Sequence, residues 1–210
     1  LKVVPIFWMA SEDHDFEEIN QLTLFKKNFA TTQPASGPVG RLKPSVFEEV
    51  YTQLVELFKN DERAKELLHH FEVSFKKEDW SAATRYWVHQ LFGEELVILD
   101  GDDAQLKSLF IPIIEDEVNN TSSFSAIEKT SEILKKQDYH AQVNPREINL
   151  FFIETGLREL LIAEEDGSFS VRNTEFKFSH QELLNLIKTN PEKFSPNVTL
   201  RPVYQELILP

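Results

Sequence analysis

The chain has 210 residues and carries 35 Asp and Glu against 22 Lys and Arg, a formal charge of −13. That charge repels phosphate backbones and anionic lipid, so nucleic-acid and membrane partners are not expected. Its 17 Phe and 3 Trp supply a core and exclude disorder, and zero Cys excludes disulfides, thiolate metal sites and a cysteine nucleophile within this stretch.

Residues 3–10 (VVPIFWMA) are almost wholly apolar, as a strand covered on both faces of a parallel sheet would be. Pro5 belongs near its start, because it has no N–H to donate. SEDHD at 11–15 reads as a polar turn, and Phe16, Ile19, Leu22 and Phe25 recur every third residue, which predicts a helix. Residues 30–45 form a Pro/Gly/Ser/Thr-rich connector. Three helical patterns follow, built on Phe47–Phe58, Ala64–Phe75 and Trp80–Leu91, with Asp79 as an N-cap and Gly93 as a stop.

A second buried strand is predicted at 96–99 (LVIL), closed by Asp100-Gly101-Asp102-Asp103. Leu106, Leu109, Phe110, Ile113 and Ile114 then have helical spacing, with Pro112 expected to kink the helix or start a new one. Ser125 and Glu128 form a capping-box pair that would open a helix to about Gln137. A third buried strand is predicted at 148–153 (INLFFI). Residues 159–164, an Asp166-Gly167 turn, 168–172 and alternating Phe176/Phe178 read as a small antiparallel meander. Ser179 and Glu182 form another capping box, before a helix that must end ahead of Pro191. The fold class expected is α/β: a Rossmann-like parallel sheet with a helical insertion and a small antiparallel β appendage.

In such sheets ligands bind beyond the carboxyl ends of the strands. The first such place holds Glu12, Asp13, His14 and Asp15. An imidazole at a helix start can stabilise charge on a phosphate or carboxylate, while a neighbouring carboxylate fixes its tautomer or acts as a base. Capping plus solvation explains the same four residues, and a divalent-metal site is a further reading. Asp100 and Asp102 end the second strand and can accept a ribose hydroxyl or an amine, or simply form a turn and an N-cap. Asn149 sits beside Arg146 ahead of the third strand, and Arg201, Tyr204 and Gln205 lie within five positions; each set is ambiguous taken alone. His89, His140 and His180 have no partner pattern. Neither GxGxxG nor GxxxxGK[ST] occurs.

The phrase VPIFWMASEDHDFEEIN, with SGPVGRL at 36–42, LFGEELVILDGDD at 91–103, PREINLFF at 145–152 and SPNVTLRPVYQELILP at 195–210, resembles the family of the bacillithiol biosynthesis cysteine-adding enzyme, a cysteine ligase. The resemblance implies a Rossmann-like core over residues 1–210, with a helical connecting insertion at about 45–92 and a β-meander insertion at about 159–178. It implies further chain before Leu1 and a coiled-coil region after Pro210, through which a homodimer would form. The implied reaction joins L-cysteine to glucosaminyl-malate as an amide to give bacillithiol in the cytoplasm, with ATP as the energy source and Mg arriving only with the nucleotide. The core is also similar to nucleotidyl-transferring ligases that place a His at the first helix, although EDHD here replaces their HxGH and no Lys-rich second signature follows. By that analogy His14 would meet nucleotide phosphate or an activated carboxylate. Asp13 and Asp15 would orient it or bind the cysteine amine, Glu12, Asp100 and Asp102 would line the same cleft, and Asn149, Arg201 and Gln205 would contact ligand. A metal-dependent hydrolase built on Glu12–Asp15, and a nucleotide-binding module without turnover, remain the alternatives.

Overall fold

The computed structural model describes residues 3–144 and 146–209, so Pro145 of the PREINLFF motif and the terminal Leu1, Lys2 and Pro210 lie outside the described residues. The chain divides into two compact units, Leu1–Gly101 and Asp102–Pro210.

In the first unit β1 (Ile6–Met9) pairs in parallel with β4 (Val97–Asp100), in a register that sets Ile6 against Val97 and Met9 against Asp100. Both predicted strands are therefore present and parallel. Burial of β1 rises only toward its carboxyl end: Ile6 and Phe7 are exposed and Met9 is buried, so the expectation of a strand covered on both faces fails for its first half.

The expected first helix is absent. A short 3₁₀ turn, Phe16–Glu18, is followed by a hairpin of β2 (Gln21–Leu24) and β3 (Lys27–Ala30). Phe16, Ile19, Leu22 and Phe25 share a spacing of three, yet Leu22 and Leu24 also alternate, and alternation is what lets both pack on one face with Phe29. The two-residue loop is Phe25-Lys26, with φ of 49° and 64°, the left-handed pair that matches the twist of a tight hairpin. The hairpin covers α1 (Glu48–Phe58), where Val50 and Leu54 are buried against Phe29.

Helices α2 (Lys65–Phe75) and α3 (Trp80–Phe92) complete the expected set of three. Asp79 caps α3 by accepting from the amide of Ala82 at 2.8 Å, and Gly93 ends it with φ 61°. Aromatic rings pack this layer: Phe47 on Trp80 at 4.1 Å and Phe71 on Trp87 at 4.0 Å between centroids.

In the second unit α4 (Ala104–Asn120) is one helix with Pro112 inside it, so of the two expectations for Pro112 the start of a new helix is not met. One stripe of it, Lys107, Phe110, Ile114, Glu117 and Val118, is buried. Thr121, in the left-handed conformation, is the N-cap of α5 (Ser122–Lys136), four residues ahead of the predicted N-cap Ser125, so the Ser125 capping box does not open the helix. The predicted third strand exists as β5 (Leu150–Glu154) but lies in an antiparallel sheet. Its neighbours are β6 (Leu157–Ala163) and β9 (Phe194–Pro196), and β7 (Phe169–Val171) and β8 (Lys177–Phe178) continue the sheet from β6. The antiparallel part is thus larger than the meander alone, because a three-residue strand formed by Phe194–Pro196 completes it.

The Ser179/Glu182 capping box forms in full at the start of α6 (His180–Thr189), which ends before Pro191. Helix α7 (Arg201–Ile208) closes the unit, its Tyr204 packed 4.7 Å from Phe110 of α4. Among the described residues no helix is long and apolar enough to cross a membrane.

Candidate active site at the carboxyl edge of the parallel strands

The chain leaves β1 through a turn in which the Asp13 amide donates to Ala10 O at 3.0 Å. Two residues of the SGPVGRL segment dock on that turn by backbone alone: Val39 N donates to Asp13 O at 2.6 Å and Gly40 N to Ser11 O at 2.7 Å. Gly40 is required there, because a Cβ would lie 2.3 Å from Ser81 Oγ and 2.4 Å from Ser11 Cβ. Ser11 in turn donates its hydroxyl to one oxygen of the Asp100 carboxylate, and Arg85 Nη2 reaches the other at 3.1 Å. Asp100 is 8% exposed, so the carboxylate at the end of β4 is held between a hydroxyl and a guanidinium. A cavity of about 170 Å³ opens beside this edge, with Ser11, Val39, Gly40, Ser81 and Thr84 in its wall.

The four predicted residues after β1 do not act as one cluster. Glu12 is fully buried, whereas His14 and Asp15 are exposed. His14 Nδ1 stands 3.5 Å from Asp13 Oδ1, and the same oxygen accepts from the His14 amide at 2.8 Å. The His14 side chain is 48% exposed. His14 was expected on the first turn of a helix; it precedes a three-residue 3₁₀ turn instead, because the chain is needed for the hairpin that covers α1. A helix-dipole contribution at His14 therefore falls away. Among the described residues no three of His, Cys, Asp and Glu are arranged to hold a metal ion.

The remaining predicted residues belong to the second unit. Asp102 pairs with Lys107 at 2.7 Å, the lysine side chain being wholly buried. Asn149 is fully buried, and its amide is committed on every side. Its Nδ2 donates to Glu117 Oε1 (3.1 Å), Ser123 Oγ (2.7 Å) and Arg146 O (2.9 Å), and its Oδ1 accepts from Asn197 Nδ2 at 2.7 Å. Asn197 links this network to α7: its side-chain oxygen accepts from the amides of Thr199 and Leu200, and its carbonyl accepts from Arg201 N at 2.9 Å. Asn149 and Arg201 are thus joined through Asn197, with Gln205 one helical turn beyond Arg201.

Ser11, Arg85 and Glu117 were missed from sequence. Ser11 and Asp100 are 89 positions apart, and nothing in either local pattern announces the other. Glu117 had one local signal, its place on the apolar stripe of α4, where a carboxylate requires partners.

A parallel strand pair with helices packed on it, and polar side chains gathered where the strands end, defines an α/β protein of the Rossmann-like kind. The chain belongs to the family described as "Bacillithiol biosynthesis BshC, N-terminal Rossmann-like domain", which it matches over residues 1–210. It is 47% identical over 99% of its length to a Flavobacterium johnsoniae protein named "Putative cysteine ligase BshC", covering 39% of that protein. Proteins of the same name from Christiangramia forsetii (41% identical over 99% of this chain, 39% of theirs) and Staphylococcus haemolyticus (31% over 97%, 40% of theirs) also match. The chain thus spans about two-fifths of the length of the curated relatives it matches.

Proposed function

We propose that the protein is a carbon–nitrogen ligase that joins L-cysteine to glucosaminyl-malate, forming the amide of bacillithiol. The observation that carries this reading is the match of the entire chain to the family, with relatives at up to 47% identity that bear the name of a cysteine ligase. The reading keeps the enzyme in the cytoplasm, without nucleic-acid or membrane partners, and dimeric through a coiled coil.

Joining a free carboxylate to an amine near neutral pH is uphill, so the carboxyl must first be activated. No thioester on this stretch can serve, since it holds no Cys. ATP is the activator in this reading, and when bound it supplies the phosphate-bearing leaving group. Donors for phosphate oxygens in this unit are the Ser81 and Thr84 hydroxyls in the wall of the 170 Å³ cavity, the Arg85 guanidinium bound to Asp100, and the half-exposed His14 imidazole. Mg²⁺ would come with the nucleotide.

Within this reading His14 takes a proton from the attacking amine or stabilises charge on the activated carboxyl, and Asp13 orients its ring. Asp15 and Glu12 shape the local field around the amine. Asp100, fixed by Ser11 and Arg85, accepts a substrate hydroxyl or amine. Asp102 and Asn149 hold the second unit in shape, while Arg201 and Gln205 on α7 are its ligand contacts. The test is to incubate the full-length protein with glucosaminyl-malate, cysteine and ATP and to follow the amide product by mass. Product that requires all three components supports the reading. Nucleotide binding with no product at any enzyme concentration would leave a binding module.

A further inference from the structure

We propose that the face of α3 turned toward β4 is a binding groove for a small dianion, whose carboxylate or phosphate oxygens are received by Arg85, Lys77 and His89. On α3, Ala82, Arg85, Tyr86 and His89 recur at i, i+3, i+4 and i+7, so they form one stripe. On the strand side, Leu96 and Ile98 alternate onto one face, and Asp100 is next in that alternation. Between stripe and strand lies a groove of about 430 Å³, completed by Lys77.

Its chemistry departs from that of the chain around it. Acids outnumber Lys and Arg 35 to 22 over the whole protein, yet the seven groove residues include Lys77 and Arg85, with His89 beside them and no Asp or Glu; the carboxylate that Arg85 meets, Asp100, is also hydrogen-bonded by Ser11. A concave wall of one sign on a low-dielectric floor concentrates ions of the opposite sign. Ala82, Leu96 and Ile98 supply that floor.

The wall is also held in place. The Tyr86 hydroxyl is hydrogen-bonded to His70 Nδ1 at 3.1 Å, which fixes the ring. The Lys77 ammonium lies 4.5 Å from the centroid of that ring. Arg85 gives one N–H to Asp100 at 3.1 Å, and the planar fork of a guanidinium has further donors to offer a second anion. Its side chain is 49% exposed, so those donors are accessible.

Two sources share this chemistry: the carboxylates of a hydroxydiacid group on a substrate, and the phosphates of a nucleotide. The groove does not depend on the ligase reading, since an anion site would stand here in an enzyme of any class. The test is calorimetric titration of the full-length protein at low salt with L-malate and, separately, with inorganic phosphate. Lys77→Gln, His89→Gln and Arg85→Gln are compared with a control, Lys129→Gln, on the exposed surface of α5. Loss of one charged hydrogen bond in the groove weakens binding about tenfold, whereas the control leaves it unchanged. Binding of malate alone assigns the groove to carboxylates, and binding of phosphate alone assigns it to phosphates. Arg85→Gln frees the buried Asp100 and could unfold the unit, but Lys77 and His89 have no such contact and give the result independently. The proposal is overturned if neither anion binds at about 10 mM, if binding survives Lys77→Gln with His89→Gln, or if the control weakens it equally. These outcomes are read from binding alone, so they stand apart from whether the wild-type enzyme forms an amide.

Discussion

Replacing Gly40 by Ala should damage the first unit more than the same change at Gly93 or Gly101. The new Cβ would lie 2.3 Å from Ser81 Oγ, 2.4 Å from Ser11 Cβ and 2.8 Å from Ser11 O. Ser11 is tied to Asp100 through its hydroxyl and to Gly40 N through its carbonyl, so it has little freedom to retreat. Overpacking of this kind costs about 1–3 kcal/mol. Displacing Ser11 also weakens a hydrogen bond to a charged group, worth roughly 1.5–3 kcal/mol. We expect a loss of about 3 kcal/mol, equivalent to a drop of about 1.5 M in the urea midpoint for a slope near 2 kcal/mol/M. Trp8, Trp80 and Trp87 are the chain's three tryptophans and all lie in the first unit, so their fluorescence reports its unfolding. Adding Ser81→Ala removes the Oγ contact and should recover part of the loss, the contacts with Ser11 remaining. Gly93→Ala, in the same unit, is the comparison: nothing lies within 4 Å of its Cβ position, and only the positive φ of 61° opposes it. A Gly40→Ala midpoint within about 0.3 M of wild type would refute the steric account of this contact.

Three further outcomes are expected. Glu117→Ala leaves the buried Asn149 amide, its Nδ2 group and the Ser123 hydroxyl without their common acceptor, and should destabilise the second unit by about 3 kcal/mol or more in circular-dichroism melts, with Glu117→Gln milder. Ser179→Ala removes the capping box of α6 and should cost about 1 kcal/mol by the same melts; the Glu182 carboxyl, held below its ordinary value by the Ser179 hydroxyl and amide, should titrate at higher pH. The Asp166 carboxyl is held at about 2, against an ordinary 3.8, chiefly by the Ser168 hydroxyl and then its amide. The folded turn therefore binds this proton less tightly than the unfolded chain does. Its contribution is complete above pH 3.8 and is lost as pH falls toward about 2, a window that amide shifts of Ser168 should trace in an NMR titration and that Asp166→Asn should abolish.

Local signals were legible in the sequence wherever a few adjacent residues set the structure. Asp79 and Gly93 bound α3, and Ser179 with Glu182 opens α6, because caps depend on neighbours within one turn. The two parallel strands were legible as continuous apolar runs, although the exposure of Ile6 and Phe7 was not. The β2–β3 hairpin was hidden because its apolar residues satisfy a helical spacing as well as alternation, and its Phe25-Lys26 turn lacks the Asn-Gly signature. A three-residue strand such as β9 carries too little pattern to be read at all.

The site was legible by position rather than by partner. Asp100 was expected to matter because it ends a strand, but its contacts with Ser11 and Arg85 depend on how strands and helices meet. Asn149 is expected to contact ligand only by the analogy with nucleotidyl-transferring ligases, since no local pattern around it points to a ligand. Its burial among Glu117, Ser123 and Asn197 instead makes it a connector between α4, β5 and α7.

The most direct measurement of the central claim is the turnover of His14→Ala in the full-length protein with glucosaminyl-malate, cysteine and ATP. If chemistry happens at the carboxyl edge of β1 and β4, losing the imidazole lowers kcat about 100-fold or more, while the melting temperature and circular-dichroism spectrum stay those of wild type. Turnover at the wild-type rate would contradict the account and move the chemistry away from this edge.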